Sequence, residues 1–223
     1  MKYVITGTSS GLGRYLYENI PNSVAIDRTN LESSIQQIES DDIIIHCAFN
    51  KTNDIQDYSG YLDDNIFLTK RLLDLGNTMI YISSVDVYSQ ENVYALFKKF
   101  AESLVNHNES NLILRCPALV GEHMSYNHLH KIRANEKITL SGQSTFNYIL
   151  YSDVLDTILN TDKTGVYNLL SRTSVDLNTI KTLFKSDTIF GSYLYQTPMV
   201  ISAVTDTIHV DRTSIETIKD YFL

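Results

Sequence analysis

The chain has 223 residues and a formal net charge of −8, enough length to bury a substantial core in one large α/β domain or in one domain and a half. The acidic balance excludes nucleic acid as the main partner, so any bound phosphate must be held by local groups and not by a general positive field. No apolar run reaches the length that spans a bilayer, and the N-terminus enters a strand directly with no signal peptide, so a cytoplasmic protein without a membrane partner is expected.

Lys2 to Thr6 reads as a short buried strand. Gly7-Thr8-Ser9-Ser10-Gly11-Leu12-Gly13 follows, then a helix from Leu12 to about Asn19. Strand, glycine turn and helix in that order make a dinucleotide site: glycines let the backbone approach a pyrophosphate, and the helix N-terminus offers it free N–H groups. Gly7, Ser9, Ser10, Gly11, Leu12 and Gly13 are therefore the cofactor-loop candidates; the competing reading is an ordinary strand–helix turn. Ser23 to Ile26 is a second strand ending in Asp27, 20 residues after Gly7, where a carboxylate binds the adenosine ribose hydroxyls of NAD. Arg28 and Arg14 cut the other way, since either could meet the 2′-phosphate of NADP. The competing role for Asp27 is a turn residue.

Ile43 to Cys47 is a third, apolar strand, with His46 packing at its end rather than acting as a base. Cys47 and Cys116 lie in apolar runs and read as reduced core residues. Asn50 to Gly60 is a polar loop and Tyr61 to Leu75 a helix. Thr78 to Ile82 is a fourth strand that runs into Ser83 and Ser84. Val93 to His107 is a helix carrying Tyr94 and Lys98, four apart and so on one face. An ammonium beside a phenol favours the phenolate, and a serine hydroxyl at the neighbouring strand end can bond a substrate oxygen. With 15 tyrosines in the chain such a pair also arises by chance; the glycine loop is what lifts it. Asn111 to Cys116 is a fifth strand, and Pro117 breaks the pattern.

After Pro117 the texture changes. Gly121 to Tyr126 reads as a loop, Asn127 to Asn135 as a short helix, Lys137 to Leu140 and Phe146 to Tyr151 as strands. Asp153 to Asn160 is a helix with Ser152 as N-cap; Val166 to Leu169 is a strand returning to the sheet. Val175 to Phe184 and Ser214 to Phe222 are helical. Asp187 to Phe190 and Thr207 to Val210 are short segments of no assigned type. Strands alternating with helices predict a parallel sheet with its site at the carboxyl ends of the strands. The expected division is a dinucleotide-binding core over 1–117 and a smaller substrate lobe over 118–223, with 147–170 returning to the core. His128 and His130, two apart on a helix, point to different faces, and no cluster completes a ligand set, so no metal is expected and the histidines read as solvated.

The chain resembles the extended short-chain dehydrogenases/reductases, the NAD-dependent epimerase/dehydratase family that modifies nucleotide sugars. Thr6 to Gly13 resembles the family's glycine loop, Asp42 to Ala48 its Asp-x-Val-x-His-x-Ala strand, and Ser84-Val85-Asp86-Val87-Tyr88 its Ser-x-x-Val-Tyr. Tyr94 and Lys98 match Tyr-x-x-x-Lys; Leu114 to Pro117 with Val120-Gly121, Phe146 to Val154 and Gly165 to Asn168 match further segments. The resemblance implies a Rossmann-type, doubly wound parallel sheet with a trimmed substrate lobe. It implies catalysis by Ser84 (Ser83 the runner-up), Tyr94 and Lys98, with Cys47, Ala48, Asn65, Lys98 and Pro117 beside the cofactor. Val120, His123 and Asp86 become candidates to meet substrate, and a homodimer through helices 61–75 and 93–107 is implied.

The chain also departs from the family. Ser10-Gly11 stands where the extended branch has its glycine one place earlier, Phe146 where an arginine meets the substrate diphosphate, and Leu119-Val120-Gly121 where Val-Tyr-Gly is usual, so that Val120 replaces the tyrosine. Val85 replaces the aspartic acid of the dehydratases and cannot donate a proton, which disfavours 4,6-dehydration; Asp86 is either a base or a turn residue. The expected function is 4-keto reduction or 4-epimerisation of a nucleotide-linked sugar with NAD or NADP. The alternatives are a non-catalytic cofactor-binding scaffold and a reductase of a small non-nucleotide carbonyl compound.

Overall fold

The structure is a computed structural model and describes residues 1–51, 58–89, 92–198 and 206–223. In chain order the first half runs β1 (Tyr3–Thr6), α1 (Gly11–Asn19), β2 (Val24–Ile26), α2 (Leu31–Ile35) and β3 (Ile43–His46). Then come α3 (Tyr58–Leu62), a π-helical turn (Asp63–Phe67), α4 (Leu68–Leu73), β4 (Thr78–Ser84), a 3-10 turn (Val85–Tyr88), α5 (Val93–Val105) and β5 (Leu112–Cys116). The second half is β6 (Ala118–Val120), α6 (His128–Arg133), β7 (Thr145–Phe146), β8 (Tyr148–Leu150), α7 (Tyr151–Asn160), β9 (Gly165–Leu170), β10 (Val175–Asp176), α8 (Leu177–Phe184), β11 (Asp206–His209) and α9 (Ser214–Phe222).

Seven strands form one sheet in the order β11-β9-β5-β4-β3-β1-β2, and every neighbouring pair in it is parallel. A parallel sheet is covered on both faces, and the alternation of side chains along each strand sets what each face receives. Ile5, Ile80, Ile82, Leu112 and Leu114 pack with Leu12 and Leu16 of α1 and Val154 and Ile158 of α7. Their neighbours Val4, Met79, Tyr81 and Ile113 pack with Ile66, Leu72, Ala101 and Val105 on the other face. The fold is therefore an α/β, doubly wound parallel sheet. A further apolar cluster, with Val120, Leu129, Ile132, Tyr148, Leu177, Ile180 and Ile218, forms the smaller unit beside the carboxyl ends of the strands.

Three expectations about elements fail. Lys137 to Leu140 is not a strand; only an isolated bridge joins Leu140 to Tyr193. Val175 to Phe184 is not helical throughout: Val175–Asp176 is β10, paired antiparallel with β7, and the helix starts at Leu177, with Asp176 as its N-cap, while the unassigned 187–190 segment is irregular. Ser152 is not an N-cap: α7 begins one residue earlier, and the Leu150 N–H is satisfied by the Asp153 carboxylate at 2.8 Å. Part of the predicted 50–60 loop lies outside the described residues.

Candidate active site

The carboxyl ends of β1, β3, β4 and β5 open into a cavity of about 1020 Å³ that the smaller unit walls on its far side, at the upper end of the range for ligand sites. Gly7, Ser10, Gly11, Leu12 and Gly13 line one end. Gly7 has φ +74°, and a Cβ there would sit 2.8 Å from the Ala48 nitrogen. A Cβ on Gly13 would lie 2.4 Å from the Gly7 carbonyl oxygen. Only glycines let α1 start this close to β1, which brings the helix N-terminus to the cavity. These residues fit a dinucleotide phosphate. The Gly11 N–H, however, donates to the His123 carbonyl at 3.0 Å.

At the neighbouring strand end His46 is fully buried and neutral, its pKa pulled down to about 3 by burial. The Thr69 hydroxyl donates to the Asn65 carbonyl at 2.7 Å, so it accepts from His46 Nε2 at 2.9 Å. His46 Nδ1 in turn accepts from the Thr6 hydroxyl at 2.7 Å, and Thr6 Oγ1 accepts from the N–H groups of Cys47 and Ala48 at 3.1 Å. This chain of bonds assigns the tautomer and makes His46 a structural link between β1, β3 and the helix behind them. Asn65 is buried and clamps the Asn50 backbone, donating to its carbonyl at 3.2 Å and accepting from its N–H at 2.6 Å. It shapes the loop that carries Phe49 and Lys51 and does not itself line the cavity.

The two serines at the end of β4 point to opposite faces. Ser83 donates to Glu102 Oε1 at 2.5 Å. Glu102 is gripped bidentately by Arg115, with Nε–Oε1 at 3.0 Å and Nη2–Oε2 at 2.6 Å, and Arg115 also donates to the Tyr88 phenol at 2.7 Å. That buried network ties β4, β5 and α5 together. Ser84 faces the cavity with Tyr94, and its Oγ accepts the Asp86 N–H at 3.2 Å.

Tyr94 and Lys98 both line the cavity, one helical turn apart on α5, which Asn92 caps through the Ala95 N–H at 2.8 Å. The expected electrostatic pairing is absent from this arrangement. Lys98 is 4% exposed, donates to the Ile82 carbonyl at 2.7 Å, and lies 4.3 Å from the centroid of Phe49 and 4.8 Å from that of Tyr81. Burial, then the charge of Lys51, pulls its pKa down to about 7. Burial likewise raises Tyr94, against the opposing hydrogen bond from Ser84. Phe49 stands edge-on to Tyr94 at 5.0 Å. The low-dielectric surroundings thus favour the neutral form of both groups, outweighing the phenolate stabilisation expected from the spacing alone.

Cys47, Cys116 and Pro117 also line the cavity, and burial raises both thiols to about 12, consistent with reduced core residues. Ala48 lies behind the glycine loop. Asp27 sits at the end of β2, its carboxylate accepting from the Thr29 N–H and hydroxyl and from the Asn30 N–H, as a turn residue does. Arg28 is paired with Asp64 and Arg14 with Glu18. Two substrate candidates are corrected. Val120 is fully buried in the smaller unit's core, because its register in β6 turns it inward. His123 has φ +65° and directs its ring to Glu18 at 2.7 Å, away from the cavity. His128 is not a solvated histidine: its ring stacks on Phe146 and its Nε2 lies 2.6 Å from the Tyr148 phenol, with burial holding its pKa near 4.

Among the lining residues that escaped sequence reading are Phe49, Lys51 and Tyr195. Lys51 Nζ is 5.9 Å from the Tyr94 ring centroid. Tyr195 donates to Asp86 Oδ1 at 2.7 Å. Lys51 and Lys98 are the cations and Asp86 the acid among the described lining residues. The one available signal was Lys51's position five residues past His46.

No protein-family model matches the chain, and no curated protein matches its sequence. Solved structures do resemble it. The dTDP-4-dehydrorhamnose reductase of Clostridium acetobutylicum superposes with a TM-score of 0.76 at 16% identity, covering 99% of this chain and 98% of the other. The UDP-N-acetylglucosamine 4-epimerase of Methanobrevibacter ruminantium M1, in complex with UDP-N-acetylmuramic acid, gives 0.71 at 17%, covering 97% and 91%. The UDP-glucuronic acid 4-epimerase of Bacillus cereus, in complex with UDP-glucuronic acid and NAD, gives 0.65 at 17%, covering 99% and 93%. Across nearly its whole length, this chain shares the fold of these solved reductases and epimerases.

Proposed function

We propose that the chain is an NAD(P)-dependent oxidoreductase or epimerase acting on a nucleotide-linked sugar, by 4-keto reduction or 4-epimerisation. The observation that carries this reading is that the glycine loop, Ser84, Tyr94 and Lys98 border one cavity. A bound nicotinamide dinucleotide supplies hydride chemistry there. Gly7 to Gly13 would hold its phosphates, with Cys47, Pro117 and Lys98 beside it. The buried Tyr94 phenol keeps its proton and gives it to the oxygen that gains charge, or takes it back in the reverse direction. Ser84 hydrogen-bonds the same oxygen, and Asp86 meets the sugar. Asp27 at the end of β2, with Arg28 and Arg14 both paired to carboxylates, supports NAD over NADP. A homodimer through helices 61–75 and 93–107 is supported by Leu96 and Phe100, 58% and 50% exposed on α5.

A second reading, reduction of a small carbonyl compound without a nucleotide, is favoured by Phe146, 8% exposed where an arginine was expected. Activity without a nucleoside diphosphate would separate it. The test begins with calorimetric and thermal-shift titrations of NAD, NADH, NADP and NADPH, since a ligand of the folded state raises stability by mass action. UDP, dTDP and GDP sugars follow, read by absorbance of the reduced cofactor. Tyr94→Phe should abolish turnover while cofactor binding stays within a few-fold; a variant that keeps working refutes the mechanism. No binding of any of the four nicotinamides hands the fold to the scaffold alternative.

A further inference from the structure

Asp86 and Tyr195 lie 109 residues apart and meet across the cavity, the Tyr195 phenol donating to Asp86 Oδ1 at 2.7 Å. Each partner has its own built support. Asp86 sits in the 3-10 turn whose Val85 and Val87 are anchored in the core. Its N–H on Ser84 Oγ fixes it relative to the catalytic serine candidate. Tyr195 belongs to a segment laid along β7. The Thr145 N–H donates to the Tyr195 carbonyl at 2.9 Å, the Thr197 N–H to the Thr145 carbonyl at 2.9 Å, and the Tyr195 N–H to Ser144 Oγ at 3.0 Å.

Alternation along that segment turns Leu194 and Gln196 toward a separate cavity of about 910 Å³ and leaves Tyr195 facing the catalytic one. The Tyr195 ring stacks on Phe146 at 4.5 Å and 21°, and Phe146 stacks on His128 at 4.5 Å and 26°. Phe146 is thereby packed among aromatic rings and only 8% exposed, so it offers a ligand little surface. What this wall offers a ligand is the Asp86–Tyr195 pair. A carboxylate whose one oxygen is occupied by a phenol is an oriented acceptor through the other. Such an acceptor suits a hydroxyl and repels a phosphate.

The geometry points to Tyr195 as a specificity-determining positioning residue, holding Asp86 as the acceptor for a hydroxyl on the sugar portion of the substrate. This rests on the nucleotide-sugar reading. The test is calorimetry on NAD-loaded protein with UDP, dTDP, UDP-glucose and dTDP-glucose, for the wild type, Tyr195→Phe, Asp86→Asn and the double variant. Tyr195→Phe keeps the ring stack and deletes only the donor. Affinity for whichever glucose conjugate binds should fall about tenfold in each single variant, the range of a charge-assisted hydrogen bond. The double variant should be no weaker than Asp86→Asn, and the matching free nucleotide should stay within about twofold throughout. Equal loss of nucleotide and conjugate, or an unchanged conjugate affinity in Tyr195→Phe, overturns the inference alone. A wild type that binds none of the four ligands overturns this inference, and the nucleotide-sugar reading with it once the GDP sugars also fail to bind.

Discussion

Lys98→Met isolates what burial does to this site. The ammonium sits 4% exposed between the Phe49 and Tyr81 rings, with its pKa taken from an ordinary 10.5 to about 7. At about 1.36 kcal/mol per pKa unit, holding the charged form costs roughly 4–5 kcal/mol. The sign follows from proton counting. Between pH 7 and 10.5 the unfolded chain keeps the lysine proton and the folded chain has released it, so this group makes stability rise with pH there. Below pH 7 both states hold the proton and the full cost is present. Methionine removes that cost but leaves the Ile82 carbonyl without its donor, a roughly pH-independent loss of about 1–3 kcal/mol. The variant should therefore be more stable than the wild type near pH 6, and its advantage should shrink by about 2 kcal/mol by pH 8.5. Cys47 and Cys116, whose raised values work in the opposite direction above pH 8.5, cancel when the two proteins are compared at one pH. The chain has no tryptophan, so urea unfolding is followed by far-UV circular dichroism at half-unit pH steps. A difference that stays constant to within about 0.5 kcal/mol from pH 6 to 8.5 would refute a desolvated lysine.

The two serines separate cleanly. Ser84→Ala should lower kcat about a hundredfold with cofactor affinity unchanged, whereas Ser83→Ala should leave kcat within a few-fold and lower stability by about 1–2 kcal/mol through loss of its Glu102 bond; the reverse pattern would exchange their roles. Leu96→Glu with Phe100→Glu places like charges on the exposed face of α5, and light scattering should report the monomer mass where the wild type gives the dimer. An identical mass for both proteins would remove this face as the interface.

The sheet was legible because its code is local. Ile5, Ile80, Ile82 and their alternating partners Val4, Met79 and Tyr81 are short apolar runs between turn signals, and the helices between them follow a 3.6-residue period. The glycine loop was legible because its spacing marks a strand–turn–helix unit and Gly13 is required by backbone contact within it, although the contact that requires Gly7 is with Ala48 beyond β3. The second half resisted for the complementary reason. Lys137 to Leu140 alternates like a strand, yet it meets Tyr193 at a single bridge, so its fate depends on a segment over 50 residues away. The start of α7 at Tyr151 depends on which carboxylate satisfies Leu150, and neither Ser152 nor Asp153 announces that choice.

At the site the same division recurs with a chemical consequence. The i, i+4 spacing placed Tyr94 and Lys98 on one wall, and that needed only the helix. Their charge states depend on Phe49, Tyr81 and Lys51, none of which is on α5. Spacing implies an ammonium that lowers a phenol's pKa; burial of both groups reverses the direction for each. The competition can be sized. A pair in contact at an effective dielectric near 20 gains about 4 kcal/mol, roughly what Lys98 alone loses to desolvation. An ion pair would have to offset the desolvation of the Tyr94 phenolate as well, so burial prevails and disfavours the charged form of both groups. With Lys98 brought to a pKa of about 7, the site changes charge close to neutrality, and that property belongs to the packing of three elements rather than to any motif in one.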